Sequence, residues 1–280
     1  MRLRPAAPGM RRLPRFWLGL LMLVALAGWY ASERQIREAH AYLGVPQAAK
    51  LNVQTFHRVF RNEGFMLGYS DWRGQPLWVT YRLAPIGERK NLPRPGRFSA
   101  DARAFSWIGR DDYTASGFDR GHLAPNYAIS QLYGPEAQKQ TFLMSNISPQ
   151  RPNLNQKVWQ RLEETAADAF APAFGEVWVT TGPVFEPAAR RIASGKVAVP
   201  SAFYALFAVP GPEPKLLAFL IPQTVRGDEP LERFIVSVDA IERQTGLDFL
   251  HRLEDALESK LEAQIEPGGW PVLAGTKNRF

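Results

Sequence analysis

The sequence predicts an α+β protein in which a mixed or antiparallel central sheet is flanked by helices. Three observations carry this. Apolar runs of strand length follow one another around turn residues, longer runs with helical period follow proline or glycine breaks, and the two kinds mix without strict βαβ alternation. Phe65 to Tyr69 and Leu77 to Tyr81 flank the turn-rich spacer Ser70 to Gly74 and predict a hairpin. Leu154 to Phe170 predicts the clearest helix, entered after Pro149 and Pro152 and ending near Pro172. Val177 to Thr181, Phe203 to Val209 and Leu216 to Ile221 predict buried strands. Leu231 to Thr245 and Leu247 to Leu261 carry helical periodicity, with Gly246 between them. From about residue 50 onward no linker, repeat or low-complexity run interrupts the chain, so a single domain is expected.

The 280 residues include no cysteine, and 45% are hydrophobic against 22% charged. Such a composition folds around a core; it excludes a disulfide-stapled mini-protein, a cysteine zinc site and a cysteine nucleophile. The net charge of +7 overstates how basic the body is. Arg2, Arg4, Arg11, Arg12 and Arg15 lie in the first fifteen residues, and without them the charge is +2. Any polyanion binding must therefore come from a local patch.

Those arginines (residues 1–15) run into the apolar stretch 16–31, broken only by Gly19 and Gly28, and the first acid is Glu33. A basic n-region before an apolar segment is a membrane-targeting layout. Ala25-Leu26-Ala27 offers the small residues of a cleavable signal peptide, whereas Trp17, Trp29 and Tyr30 sit where interfacial aromatics would hold a retained anchor. Either way the leading positive charge keeps the start cytoplasmic and sends the body across. The expectation is a single-pass inner-membrane protein with its body on the periplasmic side, or a secreted or periplasmic one if the segment is cleaved. Pro5, Pro8 and Pro14 argue against an amphipathic mitochondrial presequence.

Only four histidines exist. His40, His57 and His251 stand in contexts suited to surface or packing roles. His122 ends the run Asp119-Arg120-Gly121-His122, where an acid, a base, a glycine and an imidazole in succession make a poor core strand. They suit a place where backbone approaches a ligand closely and charges converge on it. Phosphodiester hydrolysis needs a base for water, a cation for the attacked phosphate and a Lewis acid for the leaving oxygen. An imidazole meets the first need, a guanidinium the second, and Mg²⁺ on oxygen ligands the third. His122 and Arg120 supply two of these groups, and Met144 to Gln150 with Asn153 to Gln156 supply amide oxygens.

The ordered set Asp119-Arg120-Gly121-His122, Ser145 to Gln150, Leu154-Asn155-Gln156, Trp159 and Arg161-Leu162-Glu163 resembles the DNA/RNA non-specific endonuclease family. Pro76 to Val79, Asp112-Tyr113, Thr181 to Phe185 and Val199 to Tyr204 extend the resemblance over roughly residues 40–260. It implies an endonuclease domain over 40–261, followed by a tail over 262–280, and an active site built as a ββα-metal finger. It also implies metal-dependent, sequence-non-specific hydrolysis of DNA and RNA to 5′-phosphate ends. The metal would be Mg²⁺, with Mn²⁺ able to substitute. His122 would be the general base and Asn155 the one direct protein ligand of a hydrated Mg²⁺. Glu163 would hold a water of that ion's hydration shell, Arg120 would contact phosphate, and Asn146 would help arrange the base or the substrate. On an ideal helix Asn155, Trp159 and Glu163 fan over roughly 80° on one side, with Glu163 about 12 Å along the axis from Asn155, which makes joint direct ligation awkward. Asp119 reads as an orienting or salt-bridging residue rather than an acid catalyst.

Family members carry a further arginine upstream of the histidine motif. Between Glu88 and Arg110 lie Arg89, Lys90, Arg94, Arg97, Arg103 and Arg110 against two acids. Arg97-Phe98 best resembles the family's neighbourhood, with Arg94 the alternative. DNA and RNA are the expected partners, with the membrane through the N-terminal segment, and the resemblance adds a homodimer. Two other readings use the same residues: a phosphodiesterase acting on small nucleotides, and a catalytically silent nucleic-acid-binding protein on the same scaffold.

Overall fold

The turn-rich spacer at Ser70 to Gly74 closes a hairpin, and the rest of the sheet grows from it. In the computed structural model, which describes residues 15–265 and 268–271, β2 (Arg58–Arg61), β3 (Phe65–Ser70) and β4 (Gln75–Leu83) pair in succession, all antiparallel. The chain then leaves the sheet after Leu83 and returns at Val177, as β7 (Val177–Val184) against β4. β8 (Ala202–Val209), β9 (Lys215–Pro222) and the short β10 (Ile235–Val236) complete the seven-stranded order β10-β9-β8-β7-β4-β3-β2. Every neighbouring pair is antiparallel.

The strands read as unbroken apolar runs because both faces of the sheet are covered. Alternate side chains go to opposite faces. Val79, Tyr81, Val179, Phe203 and Phe207 pack on one face with Leu154, Val158, Trp159, Leu162 and Phe170 from a long helix. Met66, Trp78, Tyr204 and Leu206 pack on the other with Val238, Ile241 and Phe249.

The excursion between β4 and β7 carries β5 (Asp119–His122), α2 (Asn126–Tyr133), α3 (Pro135–Thr141) and β6 (Ile147–Gln150). β5 and β6 form a separate two-stranded ribbon in which Asp119 faces Gln150 and His122 faces Ile147. The long helix follows at once. It is π-helical over Leu154–Trp159, α-helical over α4 (Gln160–Thr165), π-helical again over Ala166–Phe170 and α-helical over α5 (Ala171–Phe174). The helix runs two residues past Pro172, near which the sequence placed its end. The preceding turn is the widened one, and the stop comes at Gly175, whose φ of +76° suits a residue without Cβ.

Two expected helices are corrected. Leu231–Phe234 is a single 3-10 turn, Ile235–Val236 joins the sheet edge as β10, and only α6 (Val238–Thr245) is helical, capped by Ser237 accepting from the Ala240 N–H at 3.2 Å. Likewise Leu247–Asp248 is β11, paired with β1 (Gln47–Ala48), and the helix there is only α7 (Asp255–Glu262). The stretch set apart as a tail contributes to the body: Trp270 is buried in contact with Phe170, Phe174 and Phe207. Residues 272–280 lie outside the described residues, as does the basic n-region 1–14.

At the N-terminus α1 (Arg15–Ala39) continues beyond the apolar stretch and through Ala25–Ala27 without a break. Its last turns are held by Glu33–Arg37 and Arg34–Glu38 pairs at 3.1 and 3.2 Å, and are tied to the body by Arg61–Glu33 at 3.3 Å and Arg252–Glu38 at 2.6 Å. Phe16 to Tyr30 are exposed all round, so this is no core helix; Phe16–Glu38 has the length and apolar composition to cross a membrane.

Candidate active site

The ribbon and the long helix meet along a cleft of ≈ 760 Å³. His122, Arg120 and Asp119 reach it from β5, Asn155, Gln156 and Glu163 from the helix, and Arg89, Arg94 and Phe98 from the loop after β4. Gly121 sits between the charged residues because a Cβ there would overlap the Gln150 side chain on the paired strand.

Asp119 is the link between strand and helix. Its Oδ2 accepts from Asn155 Nδ2 at 2.9 Å and from Gln156 Nε2 at 2.8 Å. Because a carboxylate oxygen accepts, these bonds fix which end of the Asn155 amide is nitrogen and leave its Oδ1 as the free donor atom for a cation. Asp119 thus holds the helix end in place, as its expected orienting character suggests, and Gln156, expected among the suppliers of amide oxygens, donates to it instead. The π turn at Leu154–Trp159 also matters. Closing a turn i→i+5 places more residues in it, so each advances less around the axis. Asn155 and Glu163 both line the cleft, while Trp159 turns into the core beside Phe203, with ring centroids 5.7 Å apart.

His122 is half-buried between two rings, 5.5 Å from Phe98 and 4.9 Å from Phe142 by centroids. Its Nε2 is sealed from solvent and has no hydrogen-bond partner, so Nδ1 is the nitrogen open to the cleft. Burial, reinforced by the Arg94 charge, holds the imidazole well below its ordinary range, down to about 3. It is therefore neutral, its lone pair unprotonated, throughout the neutral range. Glu163 is the opposite case: burial pushes its carboxyl up to about 8, against the Trp159 indole and helped by Glu164.

The arginines divide by the company they keep. Arg120 donates through Nε and Nη2 to the Arg110 carbonyl at 3.2 and 2.8 Å, which pins one side of its fork and leaves Nη1. Arg94 stands over the Phe142 ring at 5.4 Å, on the wall beside His122. Both upstream arginines are exposed; Arg94, the alternative from sequence, lines the cleft, whereas Arg97, preferred from sequence, lies outside its lining. Arg103 is committed to Asp101 at 2.6 Å, and Arg161 binds the Gly227 and Glu229 carbonyls.

Asn146 does not face the cleft. Fully buried, it accepts from the Ala124 N–H at 2.9 Å and donates to the Ala124 and Thr141 carbonyls at 3.0 Å each, with no amide atom left for substrate. It braces the chain two residues beyond His122, so it can arrange the base only by holding the backbone that carries it. The other histidines are structural: His40 bonds Ile36, His57 bonds Trp78 and Thr55, and His251 bonds Val45.

Comparison with known proteins places the chain in a family. The profile of the DNA/RNA non-specific endonuclease family matches residues 46–256. Mitochondrial endonuclease G of Bos taurus is 32% identical over 88% of this chain and 84% of its own length. A nuclease of Nostoc sp. is 28% identical over 81% of this chain and 86% of its own. In fold, a chain from the crystal structure of the EndoG/EndoGI complex matches with a TM-score of 0.64 over 70% of this chain and 87% of that one, at 23% identity. The chain belongs to the DNA/RNA non-specific endonuclease family.

Proposed function

We propose that the chain is a Mg²⁺-dependent endonuclease that cleaves DNA and RNA without sequence preference, with His122 as general base. The observation that carries the reading is the shared cleft: one unprotonated imidazole, one amide held by Asp119 with its oxygen free, the Glu163 carboxyl and three arginines line the same cavity. Asn155 Oδ1, Glu163 and water make an all-oxygen donor set, which fits a hard divalent cation that keeps much of its hydration shell. When bound, such an ion supplies Lewis-acid stabilisation of the phosphoryl charge and the leaving oxygen.

The chain's own residues do the rest. Arg94, Arg89 and Arg120 present positive charge to a phosphate backbone, which attracts any sequence and reads no base edge. A phosphate settling beside Arg94 offsets the charge that opposes protonation of His122, so substrate binding itself raises the basicity of the imidazole. His122 Nδ1 then accepts the proton of the attacking water, while Nε2 stays sealed against Phe98 and Phe142. In-line attack with departure of the 3′ oxygen leaves a 5′-phosphate. Asn146 acts as a positioning residue, through Ala124.

The exposed apolar helix α1 and the arginines that precede it support a membrane-anchored arrangement with the body on the periplasmic side. The test of function is digestion of supercoiled DNA and of labelled RNA by the full-length chain. Both substrates should be cut with Mg²⁺, EDTA should stop the reaction and Mn²⁺ should restore it. Undiminished cleavage in EDTA, or binding without cleavage at any metal concentration, would overturn the proposal.

A further inference from the structure

On the sheet face opposite the cleft, α6, β11 and α7 bring carboxylates together. Asp239 and Glu242 lie three apart on α6, Glu262 ends α7, and one carboxylate oxygen from each lies within 4.8 Å of the other two. Proximity of acids is common on protein surfaces and means little by itself. Here a second fact accompanies it. Glu262 is only 6% exposed, directs its carboxylate into the group, and has an oxygen, Oε1, sealed from water with no hydrogen-bond partner. A buried, unpartnered carboxylate is unfavourable unless it takes up a proton or something positive meets it.

Among the described residues, no basic side chain figures in the charges that act on it. The charges acting most strongly on Glu262 are all acids: Glu242, Glu258, Asp239 and Asp248. Burial and these neighbours push its carboxyl up to about 8, and burial raises that of Glu242 to about 7 although the Phe249 N–H works against the shift. The Phe249 N–H donates to Glu242 Oε1 at 2.8 Å, which fixes the side chain and leaves Oε2 for the group. His251 acts on the more peripheral Glu258.

We propose that Asp239, Glu242 and Glu262 form a second cation site, distinct from the catalytic cleft, that takes Ca²⁺ and clamps α6 to α7. The spacing accommodates this ion. Oxygens around Ca²⁺ lie about 2.3–2.6 Å from it, so ligands on opposite sides stand up to roughly 5 Å apart, whereas the Mg²⁺ shell limits that span to about 4.2 Å. Oxygens that all lie within 4.8 Å of one another fit inside the Ca²⁺ shell. Three carboxylates also suit an ion that sheds its waters readily. The absence of histidine or cysteine from the group argues against zinc.

The test uses the full-length chain in detergent, stripped of metal and carrying Asn155→Ala so that the cleft contributes no Ca²⁺ signal. Calorimetric titration with CaCl₂ should show one bound ion, with a rise in Tm that MgCl₂ does not reproduce. Adding Glu262→Gln should weaken Ca²⁺ binding at least about tenfold and remove the Tm rise. In the otherwise native chain, Glu262→Gln should leave the nuclease rate unchanged. Should Glu262→Gln fail to fold, Asp239→Asn, which is partly exposed, carries the same expectation. The proposal is overturned if no Ca²⁺ binds, if the Tm rise survives in the variant that folds, or if Mg²⁺ gives an equal rise.

Discussion

Replacing Asp119 by alanine separates holding the metal ligand from doing the chemistry. The carboxylate accepts from Asn155 at 2.9 Å and from Gln156 at 2.8 Å, whereas the Arg120 guanidinium is bonded to the Arg110 carbonyl. Without it the Asn155 amide is free to rotate, and its oxygen no longer waits in one place. Loss of a partner that orients a metal ligand costs about 10–100-fold in affinity, or about 1.4–2.8 kcal/mol. That range matches the worth of one hydrogen bond to a charged group, about 1.5–3 kcal/mol. Initial rates of plasmid nicking measured against MgCl₂ should show the half-saturating concentration rising by that factor. The rate at saturating Mg²⁺ should fall much less, since base and arginines are untouched. Asp119→Asn, which keeps an accepting oxygen, should fall between. A half-saturation point unchanged within about twofold in Asp119→Ala would refute the idea that this carboxylate positions Asn155.

Other consequences follow from the same geometry. Arg94→Ala should lower kcat/KM by about 10²-fold and move the acid limb of the pH profile upward, because one charge opposing protonation of His122 is gone; Arg97→Ala should stay near the parent rate, and the reverse order would restore the upstream assignment made from sequence. Glu163, raised to about 8, is uncharged in the metal-free protein at neutral pH, so apparent Mg²⁺ affinity should strengthen as pH rises from 6 to 8, and Glu163→Gln should flatten that dependence. The sign for stability is the opposite. A carboxyl raised from 4.5 contributes stability that is complete below 4.5 and lost as pH rises through 8, so in EDTA the chain should melt lower at pH 8.5 than at pH 6, by less in Glu163→Gln. Gly121→Ala should destabilise by about 1–3 kcal/mol in denaturant melts, because its Cβ needs the space of the Gln150 side chain; an unchanged midpoint would mean that the ribbon is looser than described.

Much of the sheet was legible because its strands are covered on both faces and therefore read as continuous apolar runs; the hairpin around Ser70 to Gly74 and strands β7, β8 and β9 show this directly. The helices near the C-terminus were not. Leu231, Phe234, Val238 and Ile241 keep helical spacing, yet Ile235 and Val236 gain more by pairing with β9 at the sheet edge, and the helix begins only where Ser237 caps it. A serine ahead of an apolar helical run was the readable signal. At the site, His122, Arg120, Asn155 and Glu163 were recoverable because each sits in a short local motif. Arg94 was not separable from Arg97, since both lie in an irregular loop whose path is set by packing against Phe142, a residue on another element. The aromatic walls of His122 and the acidic group on α6 and α7 depend on such distant contacts too.

The account stands on proton transfer to one imidazole. Single-turnover cleavage of end-labelled duplex DNA by His122→Ala, at saturating Mg²⁺ and alongside its melting temperature and DNA affinity, tests this most directly. The expected result is a loss of about 10²–10⁴-fold in the cleavage step with stability and DNA binding retained. Cleavage within about twofold of the parent rate in the folded variant would contradict it.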